Sequence, residues 1–441
     1  MKKNKITLLL SVCVSMAASL TGCVKDNAEL KNSVNILTVD AKELQAPVYG
    51  ETDSAMTTVA NGANDFAFKL SAALVKNVDD ESFVCSPYSV WLPLAALVNA
   101  VNDRYKDDLL TALSASGVSE SDINNAASRM LYDLTKEQDK AFAQEYNEQY
   151  HNPLRIANAI FVGNNVTLRK NFAQSFMDYY RGAAMNVDFS TRDAIDAVNQ
   201  WASDNTDGLI TDLIKEFDPA TVAAIANAIY FSDRWQWEFN PDDTTEGVFH
   251  SLSGDKTAFY MLREGDSQTY YEDSIVQAMP LWFKTGGGMY IILPKSGDAV
   301  GLLEDMTYDY FNEIQRDSVS ASGKLLLPRF SIENEVADLK ETLIALGIPL
   351  FDKEAAPLTG GLLEENIPVW LSGAIQKAVI KVDEKGTTAA AVTVMPAAGA
   401  GMPVPTEPFE MICDKPFVFV LYEYTYDGGS QILFTGVVNQ P

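Results

Sequence analysis

The chain has 441 residues and is poor in histidine and in basic residues. Two histidines, His151 and His250, are too few for a histidine-rich metal site or for extended histidine-based acid–base chemistry. Lys and Arg number 33 against 60 Asp and Glu, which gives a formal net charge of −27. So acidic a chain repels phosphate backbones, which argues against nucleic-acid binding. Four cysteines at this length do not make a disulfide scaffold.

The sequence also lacks the short motifs of common catalytic sites. It contains no Walker A loop, G-x-G-x-x-G, H-E-x-x-H or G-x-S-x-G. Three consecutive glycines at 286–288 lie between two strand-like runs and predict a hairpin turn rather than a phosphate site. With 47% hydrophobic and 21% charged residues the composition is globular. We therefore predict a folded protein that is not an enzyme and needs no cofactor or metal.

The N-terminus has the features of a targeting segment. Three lysines among the first five residues precede an apolar run over 6–20, which is too short for a comfortable membrane span. The run leads into Leu20-Thr21-Gly22-Cys23, which resembles the bacterial lipobox. That resemblance implies cleavage before Cys23 and acylation of its thiol. The alternative is an ordinary secretory peptide that is followed by a chance cysteine.

These features predict the domain organisation. We expect a lipoprotein signal peptide over 1–22, a lipidated tether with at most one short strand over 23–57, and one domain over 59–441. Acyl chains rather than a membrane-spanning helix would hold the protein to the membrane. The expected location is the bacterial outer membrane, and exposure at the cell surface is an open alternative. The remaining cysteines, Cys85 and Cys413, lie in apolar stretches and are expected to be buried free thiols.

Hydrophobic periodicity predicts the elements of the domain. Apolar residues recur every four positions from Phe66, and 90–101 is apolar almost throughout, which favours two early helices. Further helical patterns cover 105–135, 170–182, 192–203 and 335–347. Strand-like runs cover 154–162, 221–231, 289–294, 324–330, 376–384, 417–424 and 430–438. Because helices do not regularly separate the later strands, an α+β fold is favoured over a doubly wound sheet.

Residues 383–401 form an unusual segment of small residues with almost no charge after Lys385. One interpretation is a flexible loop. The other is a loop that can enter a sheet as a strand, because alternate residues share one face and an inward charge would be costly to desolvate. Gly386 can act as a pivot because it lacks a Cβ. The residues on the inward face would be Thr387, Ala389, Ala391, Thr393 and Met395.

Several stretches, taken in order, resemble one protein family. Glu384-Lys385-Gly386-Thr387-Thr388-Ala389-Ala390-Ala391 resembles the reactive-loop hinge of inhibitory serpins. The other stretches are Ser86-Pro87-Tyr88-Ser89, Ile156-Ala157-Asn158, Val198-Asn199-x-Trp201, Asn227-Ala228-Ile229-Tyr230-Phe231 with Trp235, Leu327-Pro328-Arg329-Phe330 and Leu433-Phe434-x-Gly436. Their shared order and spacing extend the resemblance over essentially all of 59–441.

The resemblance implies a fold, a mechanism and a set of site residues. The fold has about nine helices around three β-sheets, with an exposed reactive-centre loop. The function is suicide inhibition, in which a protease cleaves the loop and the loop then inserts into a sheet before the acyl-enzyme is hydrolysed. Arg329 is expected to meet Glu384 near Trp235 in the breach region. The implied shutter residues are Ser86, Ser89, Asn227 and Gln376, the last in place of the usual histidine.

The resemblance also implies a target protease and leaves one alternative function open. Counting from Glu384 in the inhibitory register places the scissile bond at Ala400-Gly401, where small residues favour an elastase-like serine protease over a subtilisin-like or papain-like one. We expect a monomer, and no heparin partner because 105–135 has few basic residues. The alternative is a non-inhibitory serpin acting as a binding or chaperone-like surface lipoprotein, which Pro396 would favour. A glycan-binding lipoprotein would explain 1–57 but not the hinge.

Overall fold

The computed structural model describes residues 35–37, 54–135, 154–217, 221–333, 337–387, 408–425 and 429–441. Within these ranges, nine α-helices surround three β-sheets, and a two-stranded ribbon is added at one side. The predicted α+β architecture is therefore confirmed. Among the described helices, none combines the length and the apolar character that a membrane crossing requires.

The helices largely follow the apolar periodicity. They are α1 (Ser54–Val75), α2 (Pro87–Ala96), α3 (Asp103–Ala112), α4 (Glu120–Leu134), α5 (Lys170–Tyr180), α6 (Arg192–Asn205), α7 (Ala299–Asp305), α8 (Tyr308–Asp317) and α9 (Lys340–Ala345). Every residue of α2 is buried, as its apolar sequence predicts, and Pro87 occupies its first turn. The helix predicted over 335–347 is shorter than expected, because its first described residues belong to a strand.

The sheets are built from strands that range from two residues to nineteen in length. In chain order they are β1 (Asn35–Leu37), β2 (Phe83–Cys85), β3 (Leu154–Gly163), β4 (Gly182–Val187), β5 (Ala223–Phe231), β6 (Asp233–Arg234), β7 (Thr245–Ser251), β8 (Gly254–Glu272), β9 (Val276–Trp282), β10 (Gly288–Pro294), β11 (Val319–Pro328), β12 (Phe330–Glu333), β13 (Ala337–Asp338), β14 (Ile375–Gln376), β15 (Val379–Val382), β16 (Gly386–Thr387), β17 (Phe409–Ile412), β18 (Phe417–Tyr424) and β19 (Ser430–Val438).

Sheet A consists of two parts that meet at one continuous edge. Its lower part has the order β1-β4-β3-β5, and its upper part has the order β12-β15-β16-β6. Ser232 alone separates β5 from β6, so these two strands carry the sheet from the lower part into the upper one. The predicted strand over 376–384 is divided into β14 and β15, which pair with different neighbours.

The long strand β8 links sheets B and C. Sheet C contains β7, β8, β11 and β17, whereas sheet B runs from the end of β8 through β9, β10, β18 and β19 to β2. The predicted hairpin turn is confirmed, because Gly288 pairs with Trp282 and both Gly286 and Gly287 have positive φ. The strands β18 and β19 are almost wholly buried.

The two described cysteines are free and buried, as predicted. The Cys85 thiol lies 3.1 Å from the Thr435 hydroxyl oxygen. Burial raises the pKa of Cys85 to about 11 and also raises the pKa of Cys413. Neither thiol is therefore a reactive thiolate at neutral pH.

Candidate functional site

The predicted hinge begins as a strand inside sheet A. Thr387 lies opposite Asp233 on β6 and opposite Val382 on β15, and its side chain is 1% exposed. Gly386 fits here because a Cβ on it would lie 2.1 Å from the Asp233 carbonyl oxygen. Its φ of 154° is also one that side chains disfavour. Gly386 and Thr387 of the hinge thus already lie between these two strands.

Trp235 holds the backbone on both sides of Glu384, just before the strand Gly386–Thr387. Its indole Nε1 donates to the Asp383 carbonyl oxygen at 2.9 Å, and its backbone N donates to the Lys385 carbonyl oxygen at 2.8 Å. The ring is completely buried and stacks on Phe283 with centroids 4.8 Å apart. A buried indole N–H needs a partner, and here that partner is the backbone just before the hinge.

Arg329 and Glu384 form an ion pair beside Trp235. The Arg329 Nε lies 2.8 Å and 3.0 Å from the two Glu384 carboxylate oxygens. Thr244 donates a further hydrogen bond to the same carboxylate at 2.6 Å. The Glu384 side chain is 7% exposed and that of Arg329 is 46% exposed, so Glu384 is the member of the pair that depends on its partners.

The pKa of Glu384 reflects two opposing effects. Burial alone would raise the pKa of this carboxyl, because a charged group loses hydration. The hydrogen bonds from Arg329 and Thr244 outweigh that effect and hold the pKa below its ordinary value of 4.5. At neutral pH Glu384, the first residue of the hinge, is therefore a bound carboxylate.

Three of the four predicted shutter residues meet at the start of α2. Gln376 Nε2 donates to the Ser86 carbonyl oxygen at 2.7 Å and to the Ser89 hydroxyl oxygen at 2.8 Å. Its Oε1 accepts from the Ser86 backbone N at 3.3 Å. Ser86 in turn donates from its hydroxyl to the Leu433 carbonyl oxygen at 2.8 Å, which ties the cluster to sheet B. The glutamine amide thus uses both its donor and its acceptor here.

The fourth shutter residue, Asn227, has a different partner. Its Nδ2 donates to Asn158 Oδ1 on the neighbouring strand at 2.8 Å, and Asn158 donates on to the Tyr180 carbonyl oxygen at 2.7 Å. The Oδ1 of Asn227 is buried without a hydrogen-bond partner. The structure therefore does not join Asn227 to the cluster of Ser86, Ser89 and Gln376.

A cleft separates β5 from β15 directly below the hinge. In the described part of the chain β5 pairs with β3, and β15 pairs with β12 and β16, so these two strands share no ladder. Thr387 closes the upper end of the cleft, and the core side chains of Leu421 and Phe434 line its floor. Residues that follow α6, including Leu209 and Ile210, cover it from outside. Because β16 lies between β15 and β6, and β5 continues β6, the cleft is in line with β16 and begins below Thr387, the last described residue of the hinge.

Comparison with known proteins identifies the fold and the family together. A sequence model described as serpin (serine protease inhibitor) matches residues 61–441. The chain belongs to the serpin family. Members of this family are typically protease inhibitors rather than catalysts.

Similar proteins come from distant organisms. A serpin-like protein of Methanosarcina acetivorans is 28% identical, and the match covers 100% of this chain and 99% of that protein. Alpha-1-antitrypsin of Meriones unguiculatus is 29% identical over 81% of this chain and 87% of its own. Serpin48 of the insect Tenebrio molitor superposes with a TM-score of 0.72 at 26% identity, over 89% of this chain and all of that one. The thermophilic serpin tengpin, with 23% identity, a TM-score of 0.74 and coverage of 91% and 98%, shares the fold.

Sequence reasoning missed two side chains that hold the hinge of this serpin. Thr244, the third partner of Glu384, follows two aspartates with no distinguishing pattern. Asp233 is 2% exposed and accepts hydrogen bonds from the backbone N of Thr285 at 3.1 Å and of Arg234 at 2.7 Å. Through these hydrogen bonds the buried carboxylate holds the backbone of β6, the strand that pairs with Thr387. Neither residue belongs to a stretch that carries the family resemblance.

A third missed residue, Lys377, bridges the covering segment and the sheet. Its ammonium lies 2.7 Å from an Asp212 oxygen and 3.1 Å from a Glu333 oxygen. Burial would lower the pKa of Lys377, but the two carboxylates raise it above the ordinary value. Asp212 follows α6 and Glu333 ends β12, so the lysine connects the covering segment to sheet A.

The remaining predicted site residues lie outside the described ranges. They are Cys23, Thr388, Ala389, Ala390, Ala391, Ala400 and Gly401. In the part of the chain that is described, no group of three or more His, Cys, Asp or Glu could hold a metal ion.

Proposed function

We propose that this serpin is a suicide inhibitor whose cleaved reactive loop inserts into sheet A. One observation carries the proposal: Gly386–Thr387 is already a strand at the top of the cleft, with the Thr387 side chain buried and facing inward. The residues that follow, up to 395, carry no charge. In this proposal Gly386–Thr387 is the point from which insertion would continue after cleavage.

The pairing register supports further insertion of the same segment. Thr387 pairs with Asp233 and Val382, so an unshifted ladder would place Ala389 opposite Phe231 and Ile380. Ala391 and Thr393 would then face inward, since strand residues alternate. Their small, uncharged side chains can enter the apolar cleft without a large desolvation cost.

Continuing the same register brings Thr393 level with Asn227 and Gln376. Its hydroxyl could then donate to the Asn227 Oδ1, which is buried without a partner before insertion. Pro396 would reach only the level of Ala224, near the lower end of β5, so its missing N–H would matter late. This supports inhibition over the non-inhibitory alternative.

The free energy that insertion would release is on the scale needed to distort a bound protease. About a dozen new ladder hydrogen bonds at roughly 0.5–1.5 kcal/mol each contribute on the order of 10 kcal/mol, before packing is added. A displacement of catalytic groups by about 1 Å can slow a reaction about a hundredfold. Insertion that distorts a bound protease would therefore stall hydrolysis of the acyl-enzyme.

We propose an elastase-like serine protease as the target, with Ala400-Gly401 as the reactive bond. No Lys or Arg occurs between Gly386 and Asp414, so a trypsin-like protease has no anchor residue. Met395, Met402 and Val404 each precede a proline and are poor cleavage positions. Subtilisin-like and papain-like proteases remain the alternatives.

We further propose that 1–22 is a signal peptide and that a tether over 23–57 anchors the serpin domain to the outer membrane through an acylated Cys23. The support is the apolar run that ends in Leu20-Thr21-Gly22-Cys23. Replacing Cys23→Ala should release the protein from membranes or block its processing, as membrane fractionation and the mass of the mature chain would reveal. Unchanged fractionation and mass would contradict the anchor but leave the inhibitory function intact.

The decisive experiment for inhibition is incubation with pancreatic elastase, and in parallel with subtilisin and with papain, followed by denaturing gel electrophoresis. We expect a stable complex of serpin and protease, and a released peptide that begins at Gly401 by mass spectrometry. A peptide that begins elsewhere refutes the reactive bond. Rapid cleavage without a complex, for all three protease classes, refutes inhibition and favours a binding or chaperone-like role.

A further inference from the structure

A short strand far from the domain in sequence lies on one edge of sheet A. Strand β1 pairs antiparallel with β4, with Asn35 opposite Asn186, Ile36 opposite Met185 and Leu37 opposite Ala184. The other edge of β4 is taken by β3. Among the described strands of the lower part, β1 therefore replaces β4 as the edge of the sheet.

Strand β4 has none of the usual protection of an exposed edge. Its six residues, Gly182–Val187, contain no charged residue and no proline. Its pairing with β3 continues through six residue pairs without a register shift, so no bulge turns its edge away. Uncharged, regular edge strands are templates for pairing with another chain, and natural proteins block them with charge, proline, bulges or a covering segment.

The opposite edge of sheet A is protected in a different way. Strand β12 is four residues long and ends in the exposed Glu333, which is paired with Lys377 at 3.1 Å. A short strand that carries a charge is a poor template for a further strand. Sheet A therefore has one edge, β12, that a charged residue of the strand itself protects, and a second edge, β4, that only β1 covers among the described strands.

We infer that β1 is an edge cap, which occupies the outer edge of β4 and blocks it against extended segments of other copies of this chain. The three-residue strand satisfies backbone groups of β4 and offers a much shorter edge in its place. Sixteen residues, 38–53, connect β1 to α1, so the cap belongs to the tether rather than to the domain core. Neither protease inhibition nor acylation is needed for this role.

The test replaces Asn35, Ile36 and Leu37 together by proline in the full chain, because proline donates no ladder hydrogen bond. The matched control places three prolines at 40–42, in the same tether but outside β1. Hydrogen exchange of the amides in Ala184–Asn186 reports the pairing. Sedimentation velocity over a range of concentrations reports self-association. Every chain in this comparison also carries Cys23→Ser, so that acyl chains do not contribute to the association.

A second variant separates edge pairing from general loss of stability. Asn186 is partly exposed and lies on β4, so Asn186→Lys in the triple-proline chain places a charge on the bare edge. At a concentration where it is still monomeric, the triple-proline chain should exchange at least one β4 amide about tenfold faster than the wild type. At higher concentrations it should self-associate. The lysine should restore the monomer, and the control should behave as the wild type.

Three results would overturn the inference. Unchanged exchange in Ala184–Asn186 would mean that β1 does not pair with β4 in solution. Faster exchange in a chain that stays monomeric would mean that the edge needs no cap. Self-association that Asn186→Lys does not reverse would place the contact elsewhere on the molecule.

Discussion

Arg329 donates from Nε to both carboxylate oxygens of Glu384, at 2.8 Å and 3.0 Å, and only the glutamate is shielded from water. The pair fixes the residue from which the hinge departs. Because the arginine is half exposed, its own loss of hydration is small. The carboxylate, in contrast, would be left buried and unpaired if the arginine were removed.

Replacing Glu384→Lys should therefore free the hinge and promote polymerisation or conversion to an inserted, inactive form. Loss of charge-assisted hydrogen bonds and the new repulsion with Arg329 should cost about 2 kcal/mol or more. Native gels and residual inhibition after prolonged warming measure the effect. The matched control is Glu410→Gln, which removes an exposed pair with Lys324 and should change stability by less than about 1 kcal/mol. A Glu384→Lys protein that stays monomeric and active would show that the pair is only a surface contact.

The same carboxylate predicts a pH dependence. Its pKa in the native form lies below the ordinary value of 4.5, so its stabilising contribution is complete above pH 4.5. The contribution is lost as the pH falls through the lowered native pKa. The difference in melting temperature between wild type and Glu384→Gln should therefore shrink on acidification. A difference that is constant between about pH 3 and pH 7 would contradict the assignment.

Thr387→Arg should convert the inhibitor into a substrate. The position is buried between β6 and β15, and a charge there must either stay out of the sheet or be buried at a large cost. The matched control is Thr388→Arg, because the alternation of strand residues places the next side chain on the outer face. The stoichiometry of inhibition should rise steeply for Thr387→Arg only. Equal values for the two variants would argue against insertion in this register.

The stability of the native form should depend on the N–H donors of Gln376 rather than on the size of its side chain. Gln376→Glu removes the N–H groups that face the Ser86 carbonyl and the Ser89 hydroxyl, so the native form should lose about 2 kcal/mol at neutral pH. A carboxyl facing a carbonyl has a raised native pKa, so its protonated form restores the donor and stability returns on acidification. Gln376→Ala, which lacks a titratable group, should show the loss without the recovery. Identical pH profiles for the two variants would rule out this role.

The choice of protease should follow one side chain. Ala400→Arg should redirect inhibition from elastase-like to trypsin-like enzymes, because it supplies the basic anchor that the segment lacks. Inhibition rates against both enzymes decide the outcome. If trypsin cleaves the variant without forming a complex, the position is accessible but the reactive bond lies elsewhere.

The hinge region was predictable because its residues lie in stretches of sequence that resemble those of the serpin family. Arg329 and Glu384 are 55 positions apart, and no periodicity brings them together. Their expected contact came from the order of stretches shared with a family. Asp233 and Thr244 stand outside those stretches, so their contribution was visible only from the folded backbone.

Elements with weak patterns were missed for identifiable reasons. Helix α7 has seven residues, which is too short for a 3.6-residue period to emerge. Strand β8 begins with four exposed residues and so shows no alternation where it starts. The predicted strand over 376–384 is interrupted at Lys377, whose side chain turns to two carboxylates on different elements. Such long-range partners are not encoded in local sequence.

The direction of β1 has a consequence for how the molecule would stand on a bilayer. It runs antiparallel to β4, β4 runs parallel to β3, and β3 runs antiparallel to β5, so β1 ascends with β5 toward Trp235. The chain therefore enters β1 from the pole remote from the hinge. In a protein acylated at Cys23, eleven residues separate Cys23 from Asn35 and span at most about 40 Å. In the proposed membrane-anchored inhibitor, the remote pole would face the lipid and Thr387 at the top of sheet A would face the medium. Insertion would then carry a captured protease toward the membrane.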